Sequence, residues 1–145
     1  MNGEQRSVIS EPHELLLRMS ATLRNEIGPA VEGPAKSQAY MASVVLAKLA
    51  KELDLAPARR DAERSDRASL VGDLRKLSAG DVLPSSVSAA IDVLAASEGP
   101  AALSALVRTL YAERSALGAP RFDALLGRVR VALRADVNRR MEFAG

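Results

Sequence analysis

The sequence predicts an all-α fold, a compact bundle of five or six mostly antiparallel helices, and three observations carry that prediction. Apolar residues recur every three or four positions along most of the chain, the spacing of one face of an α-helix. Gly–Pro and Gly-x-Pro pairs cut the sequence at helix-sized intervals. The composition is rich in Ala and Leu, both strong helix formers, while aromatic residues make up only 3% and Thr22 and Thr109 are the only threonines. At 145 residues the chain has the size of one helical domain spanning residues 1–145, with residues 1–10 expected to be flexible.

The elements follow in order. Ser10-Glu11-Pro12-His13-Glu14 reads as a helix start: Ser10 can cap free N–H groups, Pro12 suits the first turn, and the two glutamates favour the positive helix end. Leu16, Met19, Leu23 and Ile27 continue it, broadened by Leu15 and Ala30, until Gly28-Pro29 bends or stops it. After Gly33-Pro34, the positions Ala35, Ala39, Ala42, Leu46, Leu49 and Leu53 step by four, three, four, three and four, with Val45 and Ala50 widening the stripe. This second helix is expected to run to about Leu53 and to break at Asp54-Leu55-Ala56-Pro57.

Residues 58–69 are polar and mixed in charge, so they suit either the loose first half of a third helix or a loop. Leu70, Leu74 and Leu77 then give a firmer face that Gly80 ends. Val87, Ile91 and Leu94 mark a fourth helix after Leu83-Pro84-Ser85-Ser86. Leu103, Leu106, Val107, Leu110 and Leu117 mark a fifth after Gly99-Pro100. Phe122, Leu126, Val129, Leu133, Val137 and Met141 mark a sixth after Gly118-Ala119-Pro120. No internal repeat emerges.

Several chemistries are excluded. The absence of cysteine removes disulfides, thiolate catalysis, iron–sulfur ligation and cysteine-based zinc sites. The first ten residues lack the sustained apolar run of a secretory signal, and no stretch has the length needed to cross a bilayer, so a cytoplasmic protein without membrane attachment is expected. The glycines form neither a Gly-x-Gly-x-x-Gly nor a Gly-x-x-x-x-Gly-Lys-Ser/Thr pattern, which argues against common nucleotide sites. No catalytic residue, metal ligand set or cofactor is therefore expected.

Possible contact residues are few. His13, the only histidine, beside a proline in a first turn, reads as a surface or capping residue; a ligand contact is the alternative, because imidazole exchanges protons near neutrality. Tyr40 and Tyr111 could line a ligand pocket, although ordinary packing accounts for both. Arg128, Arg130, Arg134, Arg139 and Arg140 lie along the last helix, and Arg130 and Arg134 can project beside its apolar face. They could grip phosphates or an acidic partner, or simply form a solvated face whose long stems cover apolar surface. The net charge is +2, acidic residues interrupt the basic runs, and no aromatic platform is present, so nucleic-acid binding is not favoured. A recognition helix is likewise poorly served by Pro100-Ala101-Ala102-Leu103-Ser104.

The N-terminal third carries a further pattern: Leu15-Leu16-Leu17, the run from Leu23 through Gly28-Pro29 to Gly33, Tyr40-Met41-Ala42-Ser43-Val44-Val45-Leu46, and Lys51-Glu52-Leu53. Over about residues 12–55 it resembles a family of small all-helical proteins of unknown function found beside, or fused to, aminoglycoside-phosphotransferase-like kinases and acyl-CoA dehydrogenase-type enzymes. The resemblance implies an accessory role near small-molecule or acyl-CoA metabolism and brings no catalytic residues. Tyr40 fits an aromatic position of the pattern, whereas Ser43 stands where an asparagine-like residue is expected.

These readings converge on an accessory or protein-interaction module without catalytic machinery, able to self-associate as a homodimer. The wide stripes make Leu46, Leu49, Phe122, Leu126 and Val129 candidate interface residues, though each could equally be core. A small-ligand or acyl-group binding protein is the second reading, and a weak nucleic-acid binder the third.

Overall fold

Apolar spacing sets the helices, and prolines and glycines set most of their ends. The structure, a computed structural model, describes residues 11–144, so the flexibility expected for residues 1–10 and the Ser10 cap lie outside the described residues. Helix α1 spans Pro12–Thr22 and leads into a π-helical turn, Leu23–Ile27, and the short α2, Gly28–Ala30. Then come α3 (Pro34–Leu77), α4 (Ser85–Ala96), α5 (Ala101–Ala112), the one-turn α6 (Arg114–Leu117) and α7 (Ala119–Ala144). The described residues contain no strand, and the fold is all-α. The chain divides into two compact units, Met1–Arg60 and Asp61–Gly145.

In the first unit, α1 starts where the sequence signals place it, with Glu11 at the N-cap position, Pro12 in the first turn and Glu14 beside the positive helix end. Gly28-Pro29 widens this helix before it stops. Pro29 has no N–H to offer the carbonyl four residues back, and the Gly28 N–H reaches the Leu23 carbonyl five residues back instead. The first part of α3 returns antiparallel to α1. His13 Nε2 lies 3.7 Å from Asp54 Oδ1, and the Ser20 hydroxyl donates to the Ser43 carbonyl at 2.7 Å. Nearer the turn, Gly28 meets Tyr40. A Cβ at Gly28 would sit 3.0 Å from Tyr40 Cζ and 3.1 Å from the Leu23 carbonyl oxygen, so glycine is what lets that ring lie against the helix.

The second unit closes a conventional core. Leu70, Val71 and Leu74 of α3 pack with Val87, Ile91 and Leu94 of α4, with Ala102, Leu106 and Leu110 of α5, and with Phe122, Leu125, Leu126 and Val129 of α7; Leu117 of α6 completes the cluster. Polar pairs mark the antiparallel order of the helices. Arg75 pairs with Asp92 at 3.1 Å across α3 and α4. Arg128 pairs with Asp73 at 2.8 Å, Arg139 with Asp66 at 2.5 Å, and Arg121 with Asp81 at 2.7 Å, so residue numbers fall along α7 as they rise along α3.

One expectation needs correction, and one open choice is decided. The break at Asp54–Pro57 does not occur: α3 is one 44-residue helix with Pro57 inside it. An interior proline costs about 3 kcal/mol. Here Ala56 and Ala58 flank it, and Arg59 reaches back across it to Glu52 at 2.9 Å. Residues 58–69, which suited either a helix or a loop, take the helical alternative. Their polar side chains find partners that the sequence does not place nearby: Arg64 pairs with Glu98, Asp66 with Arg139, and Arg67 donates to the carbonyls of Ser97 and Gly99.

Candidate functional site

Two features offer a surface for recognition, one in each unit. Among the described residues of the first unit the buried ones are all small: Ser20 and Gly28 on one side, Ala39, Ser43 and Ala50 on the other. Such residues bring helix backbones close but conceal little apolar area. The Ser43 hydroxyl is satisfied by the Tyr40 carbonyl at 2.7 Å. Large side chains are left outside: Leu15 is 51% exposed, Met19 47%, Val45 56%, Leu49 48% and Leu53 48%.

These exposed residues are not scattered. At about 100° per residue, the contacting face of α3 is centred on Ala39, Ser43 and Ala50, with Val45, Leu49 and Leu53 on one flank. On α1, Ser20 and half-buried Leu16 and Leu23 mark the contacting face, and Leu15 and Met19 stand to one side. Two right-handed helices running antiparallel place these two flanks on the same side of the hairpin. Leu17, Tyr40 and Val44 fall on the opposite side. The first unit therefore presents one continuous apolar face, with half-buried Leu46 at its centre.

In the second unit, α3, α7 and the α4–α5 connection border a half-open cavity of about 240 Å³. Its floor is apolar, made by Leu70, Leu94, Leu103, Ala132 and Leu133. Its polar wall carries Glu63, Asp66 and Arg67 from α3, and Asp136 and Arg140 from α7. Gly99, with φ of 84°, turns the connection so that its carbonyl accepts from Arg67 at 2.8 Å, and this anchors the wall. Arg140 is drawn onto Asp136 at 3.0 Å. The contact in which the Arg139 guanidinium donates to the Asp66 carboxylate raises Arg139 above the ordinary arginine value against the opposing effect of burial, so this guanidinium stays charged.

The residues anticipated from sequence divide between local roles. Leu46 and Leu49 lie on the apolar face of the first unit, while Phe122, Leu126 and Val129 are buried at 3%, 5% and 0% exposure and serve the core of the second. As core residues these three present no surface to a partner. His13 faces Asp54, and Tyr40 covers Gly28. Tyr111 sets its ring edge-on to Phe122, with centroids 5.3 Å apart, and Arg130 reaches the Tyr111 hydroxyl at 3.5 Å. Arg134 is exposed. None of these side chains lines the cavity, so His13, Tyr40, Tyr111, Arg130 and Arg134 do not converge on it. The arginines of α7 do not form an uninterrupted basic face, because Arg128, Arg139 and Arg140 each meet an aspartate.

Sequence reasoning did not find the cavity, whose walls come from three separated stretches and follow no motif. It did contain part of the apolar face, in the broadening of the first stripe by Leu15 and of the second by Val45. Among the described residues no cluster of three or more His, Asp or Glu is arranged to hold a metal ion, and no helix is long and apolar enough to cross a membrane. Comparison with family models, curated proteins and solved structures finds no match to this chain.

Proposed function

We propose that this protein is an accessory interaction module that self-associates through its N-terminal unit, two hairpins packing face to face as a four-helix layer. The observation that carries this reading is the apolar face of Leu15, Met19, Val45, Leu49 and Leu53 on a hairpin whose own contact buries only small residues. A pair of helices with an open apolar side is half of a stable arrangement, and a second identical pair supplies the missing half. The hairpin face is about 28 Å long and 20 Å wide, on the order of 600 Å² in outline. That is comparable with the ~800 Å² each partner contributes to a stable interface. Residues 11–60 carry a net charge of only +1, so two copies meet without strong repulsion. The family resemblance over residues 12–55 falls on this same hairpin, which fits an accessory role exercised through contact.

Molar mass in solution tests the proposal. Light scattering or sedimentation over roughly 1–100 μM is expected to show dimers that dissociate on dilution. Val45→Lys together with Leu49→Lys is expected to give monomers with unchanged helix content. A wild-type chain that stays monomeric throughout that range refutes self-association.

A further inference from the structure

The hairpin of the first unit has a second exposed side, opposite the face assigned to self-association, and its charge is of one sign. At about 100° per residue, Leu17 of α1 and Tyr40 and Val44 of α3 look out on this side, 50%, 37% and 55% exposed. Exposed Ala21 and half-buried Ala47 share it with them. Two adjacent helices with small residues between their larger ones leave a shallow apolar trough.

Basic residues border the trough. On α3, Lys36, Tyr40, Val44, Lys48 and Lys51 step by four, four, four and three, which sets the lysines beside the apolar residues. On α1, Glu14, Leu17, Ala21 and Arg24 step by three, four and three. Arg24 lies one turn before Gly28, the residue that Tyr40 covers, and so falls on the same side. Arg24, Lys36, Lys48 and Lys51 are all exposed, and among the described residues none of the four makes a side-chain hydrogen bond or ion pair. The net charge of +1 over residues 11–60 hides this sorting: four cations and one carboxylate here leave three cations and five carboxylates for the rest of the hairpin.

We infer that this side docks an acidic amphipathic helix of a partner protein, its apolar stripe along Leu17, Tyr40 and Val44 and its carboxylates at Arg24, Lys36, Lys48 and Lys51. A trough between two helices fits one further helix, which anchors itself through residues three and four apart. The four cations give up no existing partner when they meet carboxylates, so the charge contrast selects the docking helix and speeds its arrival. An anionic bilayer offers the same sign of charge but the wrong shape. In a two-fold, face-to-face pair of hairpins the two basic sides point away from each other, so a flat bilayer reaches one of them while separate helices reach both. That choice of a helix over a bilayer rests on the self-association reading.

The test uses the intact chain and a labelled synthetic helix of about 18 residues built from Leu, Ala and Glu, with a counterpart carrying Lys in place of Glu, followed by fluorescence anisotropy. The acidic peptide is expected to bind saturably, one per chain, and more weakly as salt is raised. Its basic counterpart should bind about tenfold more weakly or worse. Lys48→Glu together with Lys51→Glu is expected to weaken the acidic peptide about tenfold, and Val44→Ser about fivefold, each with helix content unchanged by circular dichroism. Val45→Lys with Leu49→Lys, on the opposite face, is expected not to weaken it, so a chain that proves monomeric refutes self-association and leaves docking standing. The inference fails if the acidic peptide does not bind at low salt, if the basic peptide binds as tightly, or if neither Val44→Ser nor the lysine reversals weaken binding. It fails equally if Val45→Lys with Leu49→Lys abolishes binding, or if vesicles containing phosphatidylserine hold the chain more tightly than the peptide does.

Discussion

The two units are built from the same helices and Ala-rich sequence, and they end in opposite states. In Asp61–Gly145, Val87, Leu106, Leu125 and Val129 reach 0% exposure, and leucines from five helices fill one another's gaps. In Met1–Arg60 the fully buried residues among those described are serine, glycine and alanine; Leu16, Leu23 and Leu46 are half-buried, and Leu15, Met19, Val45, Leu49 and Leu53 are exposed. Several packed helices can surround large side chains; two cannot, because among the described residues of the first unit each helix has one neighbour in that unit to hide against. What separates the units is the number of partners each helix has, more than the amount of apolar residue each contains. This is why the first unit is read as needing a second copy and the second unit is not.

Substitutions can break or sharpen that contrast. The largest effect belongs to the closed core: Leu125→Ala should cost about 3 kcal/mol, read as a shift in the urea midpoint of the second unit. Ser43→Leu should cost about 2 kcal/mol by forcing a large side chain between α1 and α3. Hydrogen exchange should then show lost protection along α1 with the α4–α7 amides unchanged; unaltered protection in α1 would mean that close approach of these helices is not what holds them. Leu49→Ala should cost about 1 kcal/mol or less in dilute solution, as the side chain is already half exposed. Its effect should grow with protein concentration, as expected of a residue that works in association. Asp73→Asn, which leaves Arg128 without its charged partner, should cost about 0.5 kcal/mol, measured by thermal unfolding at low and high salt. An effect as large as that of Leu125→Ala would show that the polar rim, and not the core, carries the second unit.

Much of this was legible beforehand. The helical period located α1, α4, α5 and α7, because each keeps its apolar positions three or four apart and is bounded by Gly or Pro. The break expected at Asp54–Pro57 is absent, and residues 58–69 were left open between helix and loop, for a reason local rules cannot reach. Pro57 and a run of charges look like a break until Arg64, Asp66 and Arg67 meet Glu98, Arg139 and the Ser97–Gly99 backbone, all supplied from at least 30 positions away. The candidate sites were harder still. Periodicity shows that Leu49 and Phe122 are apolar positions on helices, but whether a stripe meets another helix of its own chain depends on topology. The burial of Phe122 and the exposure of Leu49 are settled only by the neighbours the fold provides.

The three aspartate–arginine pairs between α7 and the segment from α3 to Asp81 have one more consequence. Sliding α7 by a single turn, about 5.4 Å, would carry all three guanidiniums out of reach of their carboxylates together, while many greasy contacts could re-form one turn along. The pairs thus act as pegs that fix the axial setting of the last helix, rejecting near-miss packings that a leucine-rich interior would tolerate.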